Sequence, residues 1–442
     1  MALLPACKKF VTVSAPPTQV EAAEIFKSDQ AALSAVLGVY SRMGQAPLLV
    51  NNGGMTVYPA LSGDELYNPA ANSSYDPFVA NAILPTDANA QERCWSSPYR
   101  NIYQANAIME GLAASTVVTD SLKKQFRGEM LVVRAMAYFY LVNIYGDVPL
   151  QTTTDYRVNS VAPRTPVQQV YTQIVQDLTE AQTLLKPAYP LAGRARPNLW
   201  AATALLARVY LYQKNWVQAE AQATAVINSG SYNLAATPST VFANTSTETI
   251  WQLVRDNANT AEGSTFVPAS ATAKPTLALT PFLLAALVTG DSRKTSWIGT
   301  STVSGTPYYY PAKYKVRTTT PITEYYVILR SAEQYLIRAE ARTQQNNISG
   351  AQSDLNRIRN RAGLPNTTAT DGPSLLLALE KETQVEFMFE WGHRWFDLKR
   401  TGRIDAVLSV EKPASWQSTD ALYPIPDAQL KNNPFLVQNP GY

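Results

Sequence analysis

The sequence predicts a mostly α-helical protein in which helix hairpins form a scaffold and long loop and short-strand insertions interrupt it. Three observations carry that prediction. Apolar residues recur three and four apart over several long segments, as one buried helix face requires. Two of those segments repeat the same spacing of small residues. Between them lie stretches at 46–98 and 231–325 that are rich in Gly, Pro, Asn, Ser, Thr and Tyr and have few helical periods.

In chain order, Glu21 to Tyr40 carries Ile25, Leu33, Val36, Leu37 and Tyr40 at helical spacing, with Gly44 beyond as a stop. Tyr99 to Leu112 is a second helix and Ser121 to Tyr145 a long third one. There Leu131, Ala135, Tyr138, Leu141, Val142 and Tyr145 give a broad apolar face. Gly146-Asp147-Val148-Pro149 ends it, since Gly accepts the positive φ of a C-cap and Pro cannot continue a helix. Pro166 to Leu185 and Pro197 to Gln213 are two more helices. Aligning LLARVYLYQKNWVQAEAQATAVINSG with LIRAEARTQQNNISGAQSDLNRIRNRAG sets Ala207 against Ala339 and Ala219 against Ala351. Apolar Ala223 and Val226 then match Leu355 and Ile358. Small residues at that separation let two antiparallel helices approach closely, the pattern of tetratricopeptide hairpins. The expected architecture is about four such hairpins. Long polar loops in a compact protein are usually functional, so the insertions are the expected binding surface.

Composition narrows the chemistry. Among 442 residues, 37 basic and 34 acidic side chains leave a net charge of +3, and only 16% of residues are charged. That is too dilute for an electropositive nucleic-acid surface. A single histidine, His393, and two cysteines, Cys7 and Cys94, leave little material for a zinc site, a Ser-His dyad or a disulfide scaffold. No cofactor or metal is implied. Apolar runs fall short of the roughly 20 residues of a membrane span. Leu4-Pro5-Ala6-Cys7 is similar to the lipobox of a bacterial lipoprotein, which makes Cys7 the candidate lipid anchor and residues 1–6 the remnant of a signal. Residues 7–20, with the string SAPPTQ, form a tether, and 21–442 one helical domain.

Glu382, Glu386 and Glu390 lie four apart on one helix face. Like charges at that spacing repel, so pairing with Arg357, Arg359 or Arg361 is expected rather than acid-base catalysis. Arg134, Glu333, Glu340, Glu390 and Arg394 are likewise expected in structural pairs, and His393 as a packed or capping residue. The candidate ligand-binding residues are aromatics set in polar, turn-rich segments: Tyr58, Tyr67, Tyr75, Trp95, Trp297, Tyr308, Tyr309, Tyr310 and Trp416. A Tyr or Trp ring there offers a flat apolar face and a polar edge, which suits neutral sugars or peptides. Trp95 also fits the spacing of the following helix. Asp64, Glu65 and Asp76 are the carboxylates available to a glycosidase alternative.

The strings FRGEMLVVRAMAYFYLVNIYGDVPL (126–150), ILRSAEQYLIRAEA (328–341), LNRIRNRAGL (355–364), VEFMFEWGHRWFDLKRTGR (385–403) and YPIPDAQLKNNPFLVQNPGY (423–442) resemble, in order, signatures of the SusD/RagB family. The resemblance implies four tetratricopeptide-like hairpins and a lipid anchor on the outer membrane at the cell surface. It also implies docking on a SusC-type TonB-dependent transporter and non-catalytic capture of neutral oligosaccharides. Capture of peptides, as in RagB-like members, is the alternative; a tetratricopeptide scaffold for protein partners or a glycosidase are others. The family's shared motifs are scaffold, so no ligand contact is transferred from it.

Overall fold

A computed structural model describes residues 25–45, 48–70, 72–318 and 320–442. Cys7, the signal remnant and the tether lie outside the described residues. The main helices are α1 (Asp29–Gln45), α2 (Met55–Ser62), α3 (Ser97–Ala114), α4 (Asp120–Tyr145), α5 (Val167–Leu184), α6 (Leu199–Tyr212), α7 (Trp216–Asn228), α8 (Ser331–Gln344), α9 (Ile348–Arg361), α10 (Gly372–Glu386), α11 (His393–Arg400) and α12 (Ile404–Glu411). From α3 to α10 each helix packs on the next in chain order, and α1 leans on α3 and α4. The scaffold is thus mostly helical and grows by local contacts.

The two hairpins read from the alanine spacing have the same turn. Between α6 and α7 Lys214 takes a φ of 57°, Asn215 N–H donates to Tyr210 O (2.9 Å), and the Asn215 side chain caps α7 at Gln218 N–H (3.3 Å). Between α8 and α9 Asn346 takes a φ of 61°, Asn347 N–H donates to Arg342 O (2.8 Å), and the Asn347 side chain caps α9 at Gly350 N–H (3.1 Å). Ala207, Ala219, Ala339 and Ala351 are fully buried at the helix contacts. This is consistent with a tetratricopeptide-type pair. Arg338 joins α8 to α9 through a two-pronged pair with Asp354 (2.7 and 2.8 Å). At the end of α4, Gly146 has the expected positive φ, 73°.

Short strands organise the insertions: β1 (Leu66–Tyr67), β2 (Val148–Pro149), β3 (Arg164–Thr165), β4 (Thr249–Leu253), β5 (Ala278–Leu279), β6 (Ile298–Val303), β7 (Thr306–Pro311) and β8 (Tyr326–Arg330). Strands β4 and β8 pair antiparallel and so close the base of the second insertion, while β6 and β7 form a hairpin within it. Pairing of β1 with β5 then ties the first insertion to the second. The insertions are more helical than their composition predicts. The α2 sequence MTVYPALS is buried on every side, so it has no polar face and no helical period to read. Ala261–Phe266, Pro281–Ala286 and Ser292–Trp297 are helices of one to two turns, each started by a Thr or Asp cap.

Scaffold and insertions are joined by buried charge. Arg330, at the end of β8, donates to Glu390 (2.8 and 2.8 Å), Glu248 (2.8 Å) and Glu386 (2.5 Å). Arg361 of α9 reaches Glu248 (2.7 Å) and Glu386. Arg293, from the second insertion, reaches Glu382 (2.6 Å) and Glu386 (3.1 Å), and Lys313 reaches Glu390 (2.5 Å). Burial alone raises the Glu386 carboxyl, but Arg361, Arg330 and Arg293 outweigh it and hold the group well below the usual carboxylate range. The glutamate row is therefore paired, as expected, though largely by cations from outside the last helices. Arg359 does pair with Glu382 (3.1 Å), but Arg357 does not join in; its guanidinium lies 5.4 Å from the Tyr335 ring centre, where α9 carries it away from the glutamates. The other expected pairs form as Arg134–Asp177, Arg208–Glu333, Arg400–Glu340 and Arg394–Asp64. His393 is buried against Phe387 at 4.4 Å, and burial together with the nearby Arg208 and Arg330 keeps it neutral. Cys94 is fully buried, and burial pushes its thiol up.

Replacing Arg330 with Met leaves three buried carboxylates short of a partner, so we expect a loss of about 3–5 kcal/mol in urea unfolding. Glu262, in contrast, has burial as its main influence, which pushes its carboxyl up to about 8 against hydrogen bonds from Thr56 and Tyr326. A folded value above the unfolded one, about 4.3, gives a contribution complete below the unfolded pKa and lost as pH rises through about 8. Glu262→Gln is therefore expected to gain melting temperature relative to the parent between pH 5 and pH 8; a difference that stays constant with pH contradicts this.

Candidate ligand-binding site

The aromatic residues singled out from the sequence divide by burial. Tyr58 is 1% exposed in α2, and its ring sits 4.6 Å from Phe78. Trp297 is also 1% exposed; its indole N–H donates to Pro238 O (2.8 Å), and the Lys313 ammonium lies 4.3 Å from the ring centre. Tyr75 is buried at the start of the Asp76–Val79 turn. These three have no open face for a ligand, because the turn-rich segments that carry them fold back onto the core. Trp95 packs between Tyr99 (5.1 Å) and Tyr145 (4.9 Å), as its helical spacing suggested. Trp416 is partly exposed, edge-on to Trp395 at 5.9 Å, with its N–H on Asp405 (3.0 Å).

Tyr67, Tyr308, Tyr309 and Tyr310 remain partly exposed. Alternation along β7 sends Tyr309 to one face, packed on the core, and Tyr308 with Tyr310 to the other. The register places Tyr310 opposite Gly299, whose missing side chain makes room for the ring: a Cβ there comes within 2.2 Å of it. Tyr308 stands opposite Ser301, whose buried hydroxyl has no hydrogen-bond partner among the described residues.

Pairing of β1 with β5 brings Tyr67, far away in sequence, to this same face. The Tyr67 phenol is pushed up by partial burial and by the neighbouring Tyr308 hydroxyl. Lys274 bridges the two insertions: its ammonium donates to Pro69 O (3.2 Å) and lies 5.4 Å from the Tyr308 ring centre. The result is a surface of phenol faces and hydroxyl edges with one cation already occupied. Such a surface suits a neutral, hydroxyl-rich molecule.

The carboxylates considered for hydrolysis are held elsewhere. Asp64 takes both prongs of Arg394 (2.6 and 2.9 Å). Glu65 is buried and accepts from Phe389 N–H (3.1 Å); burial and the adjacent Asp64 push it up to about 8. Asp76 accepts from the Asn68 amide (2.9 Å). None of these is paired with another across the tyrosine surface. The described residues contain no group of three or more His, Cys, Asp and Glu side chains that could hold a metal ion.

Residues 50–211 match a family described as starch-binding associating with outer membrane, SusD-like, and residues 290–442 match the SusD family. The chain belongs to the SusD/RagB family. A SusD-like protein of Formosa agariphila is 25% identical over 259 residues, covering 56% of this chain and 48% of the relative. A SusD-like protein of Bacteroides ovatus is 28% identical over 219 residues, covering 48% and 38%. The match thus spans half or less of these relatives, whereas another Formosa agariphila SusD-like protein aligns over 82% of each chain at 23% identity. Among solved structures, a laminarin-binding SusD-like protein superposes with a TM-score of 0.82 at 25% identity, over 94% of this chain and all of that one. Surface glycan-binding protein A from Bacteroides thetaiotaomicron shares the fold, with a TM-score of 0.79 at 19% identity over 95% of this chain and all of that one. No helix among the described residues is long and apolar enough to cross a membrane.

The division by burial is directly measurable. Tyr58→Ala is expected to cost about 3–5 kcal/mol in urea unfolding, as for other buried aromatics. Tyr308→Ala, which loses a partly exposed ring, is expected to cost well below that.

Proposed function

We propose that this protein is a non-catalytic binding protein of the cell surface that captures neutral oligosaccharides. Partly exposed Tyr67 and Tyr308, brought together by the β1–β5 pairing, carry the reading. One ring comes from each insertion, so the platform exists only when both are folded. Ring faces stack on the apolar faces of sugars, while the phenol oxygens and the hydroxyls of β6 and β7 meet sugar hydroxyls. Family membership and the laminarin-binding neighbour support a glucan as the ligand class. The engagement of Asp64, Glu65 and Asp76 in structural bonds supports binding without hydrolysis. A lipid on Cys7 would hold the module at the outer membrane, and delivery of the captured glycan to a SusC-type TonB-dependent transporter completes the proposed role.

Calorimetry with laminarihexaose, a neutral glucan oligomer, is expected to show binding in the micromolar to millimolar range of shallow sites, roughly −4 to −8 kcal/mol. Tyr67→Ala and Tyr308→Ala should each weaken it at least about tenfold, a change of about 1.4 kcal/mol. Shorter sugars appearing in the same mixtures would falsify the non-catalytic part, and unaltered affinity in both variants would dismiss this surface as the site.

A further inference from the structure

We infer that the protein has a second saccharide-binding cleft, distinct from the tyrosine platform and resting on the same glycan-capture reading. It lies between α3, the segment 149–160 and the C-terminal segment 429–436, with a volume of about 660 Å³, well within the range of small-ligand sites. No residue of the Tyr67–Tyr308 platform lines it.

Four aromatics line this cleft. Trp95, buried at 3% exposure, backs Tyr99 on its inner wall, while Tyr103 is 55% exposed and Tyr156 is 76% exposed. Packing does not account for the last two, and an apolar ring left in water gains nothing for the fold. Nor is Tyr156 on a loose loop. Asn106 donates to Gln151 O (3.0 Å), Tyr138 donates to the same carbonyl (2.9 Å), Asn159 donates to Thr153 O (2.7 Å), and Glu110 accepts from Thr154 N–H (2.9 Å). The Asp155 side chain caps the turn that starts at Tyr156 by accepting from Arg157 N–H (3.0 Å). Asn433 donates to Ala162 O (2.8 Å) and fixes the far wall against the same loop. The exposed phenol is therefore presented by a frame that is already ordered, which lowers the entropy cost of binding.

The polar groups of the cleft suit a hydroxyl-bearing ligand. The carboxamides of Gln151, Gln429 and Asn432 line it and make no hydrogen bond to other described residues, so both donors and acceptors are available. Its two cations are engaged: Arg100 pairs with Glu92 (2.5 Å), and Arg42 donates to the Gln104 carboxamide oxygen (2.9 and 3.0 Å). No carboxylate is among the lining residues. Arg42 is thus bonded to a neutral amide and is the one guanidinium of the lining without a carboxylate partner among the described residues, while a cation finds no counter-charge. A sugar finds ring faces and amides.

Hydrogen-deuterium exchange on the full chain, with and without saturating laminarihexaose, separates the two sites. Protection of the backbone at 97–104 and 149–160 that disappears in Tyr103→Ala/Tyr156→Ala, while protection at 66–67 and 306–311 persists, is the expected result. Protection confined to 66–67 and 306–311 overturns the cleft and leaves the platform intact. Absence of sugar-dependent protection anywhere overturns both. If residues 149–160 are instead protected by raising the protein concentration without sugar, the cleft is a protein-binding face. The apolar neighbours Phe435 and Val437, 57% and 70% exposed, would then belong to that face.

Discussion

Arg330 is the residue on which the two halves of this architecture meet. It ends the strand that closes the second insertion, and its guanidinium is spent on glutamates 248, 386 and 390, two of which belong to the last part of the helical scaffold. Removing such charges from water is expensive, and the cost is offset only when each carboxylate oxygen and each N–H finds a partner. Arg293, Arg361 and Lys313 provide the remaining partners from three different segments. The network therefore specifies a geometry as much as it stabilises one: the insertion must sit where these charges are paired together.

That constraint positions the platform. With the base of the insertion fixed at β4 and β8, the β6–β7 hairpin projects from a defined root, and β5 meets β1 of the other insertion. Tyr67 and Tyr308 become neighbours through backbone pairing, with Lys274 bridging the same two segments. Rigidity here favours the proposed capture, because rings that are already placed lose little freedom on contact with a ligand. The pinned loop that holds Tyr156 follows the same logic on a different part of the molecule.

Scaffold and surface also differ in how their polar residues are used. On the scaffold, arginines and carboxylates are matched and buried: Arg134 with Asp177, Arg208 with Glu333, Arg394 with Asp64. In the cleft and on the platform, tyrosines and amides with little net charge face water.

Much of the scaffold was legible in the sequence because its determinants are local. A helix with one buried face must repeat its apolar residues every three or four positions, and two helices in close contact need small residues such as Ala207, Ala219, Ala339 and Ala351 at the seam. The ordered motifs from 126 to 442 record that scaffold, and with it the family. The aromatics were a different matter. Tyr58, Trp297 and Tyr308 all stand in polar, aperiodic segments, yet the first two are core and the third is surface. Helix α2 is buried all round and shows no period, and the cations that neutralise Glu386 come from distant segments that no spacing rule connects. Sequence alone determined the helical class and the family. Which of the aromatic rings stay exposed was decided only by tertiary structure, because exposure and proximity depend on strand pairing and burial between segments remote in the chain.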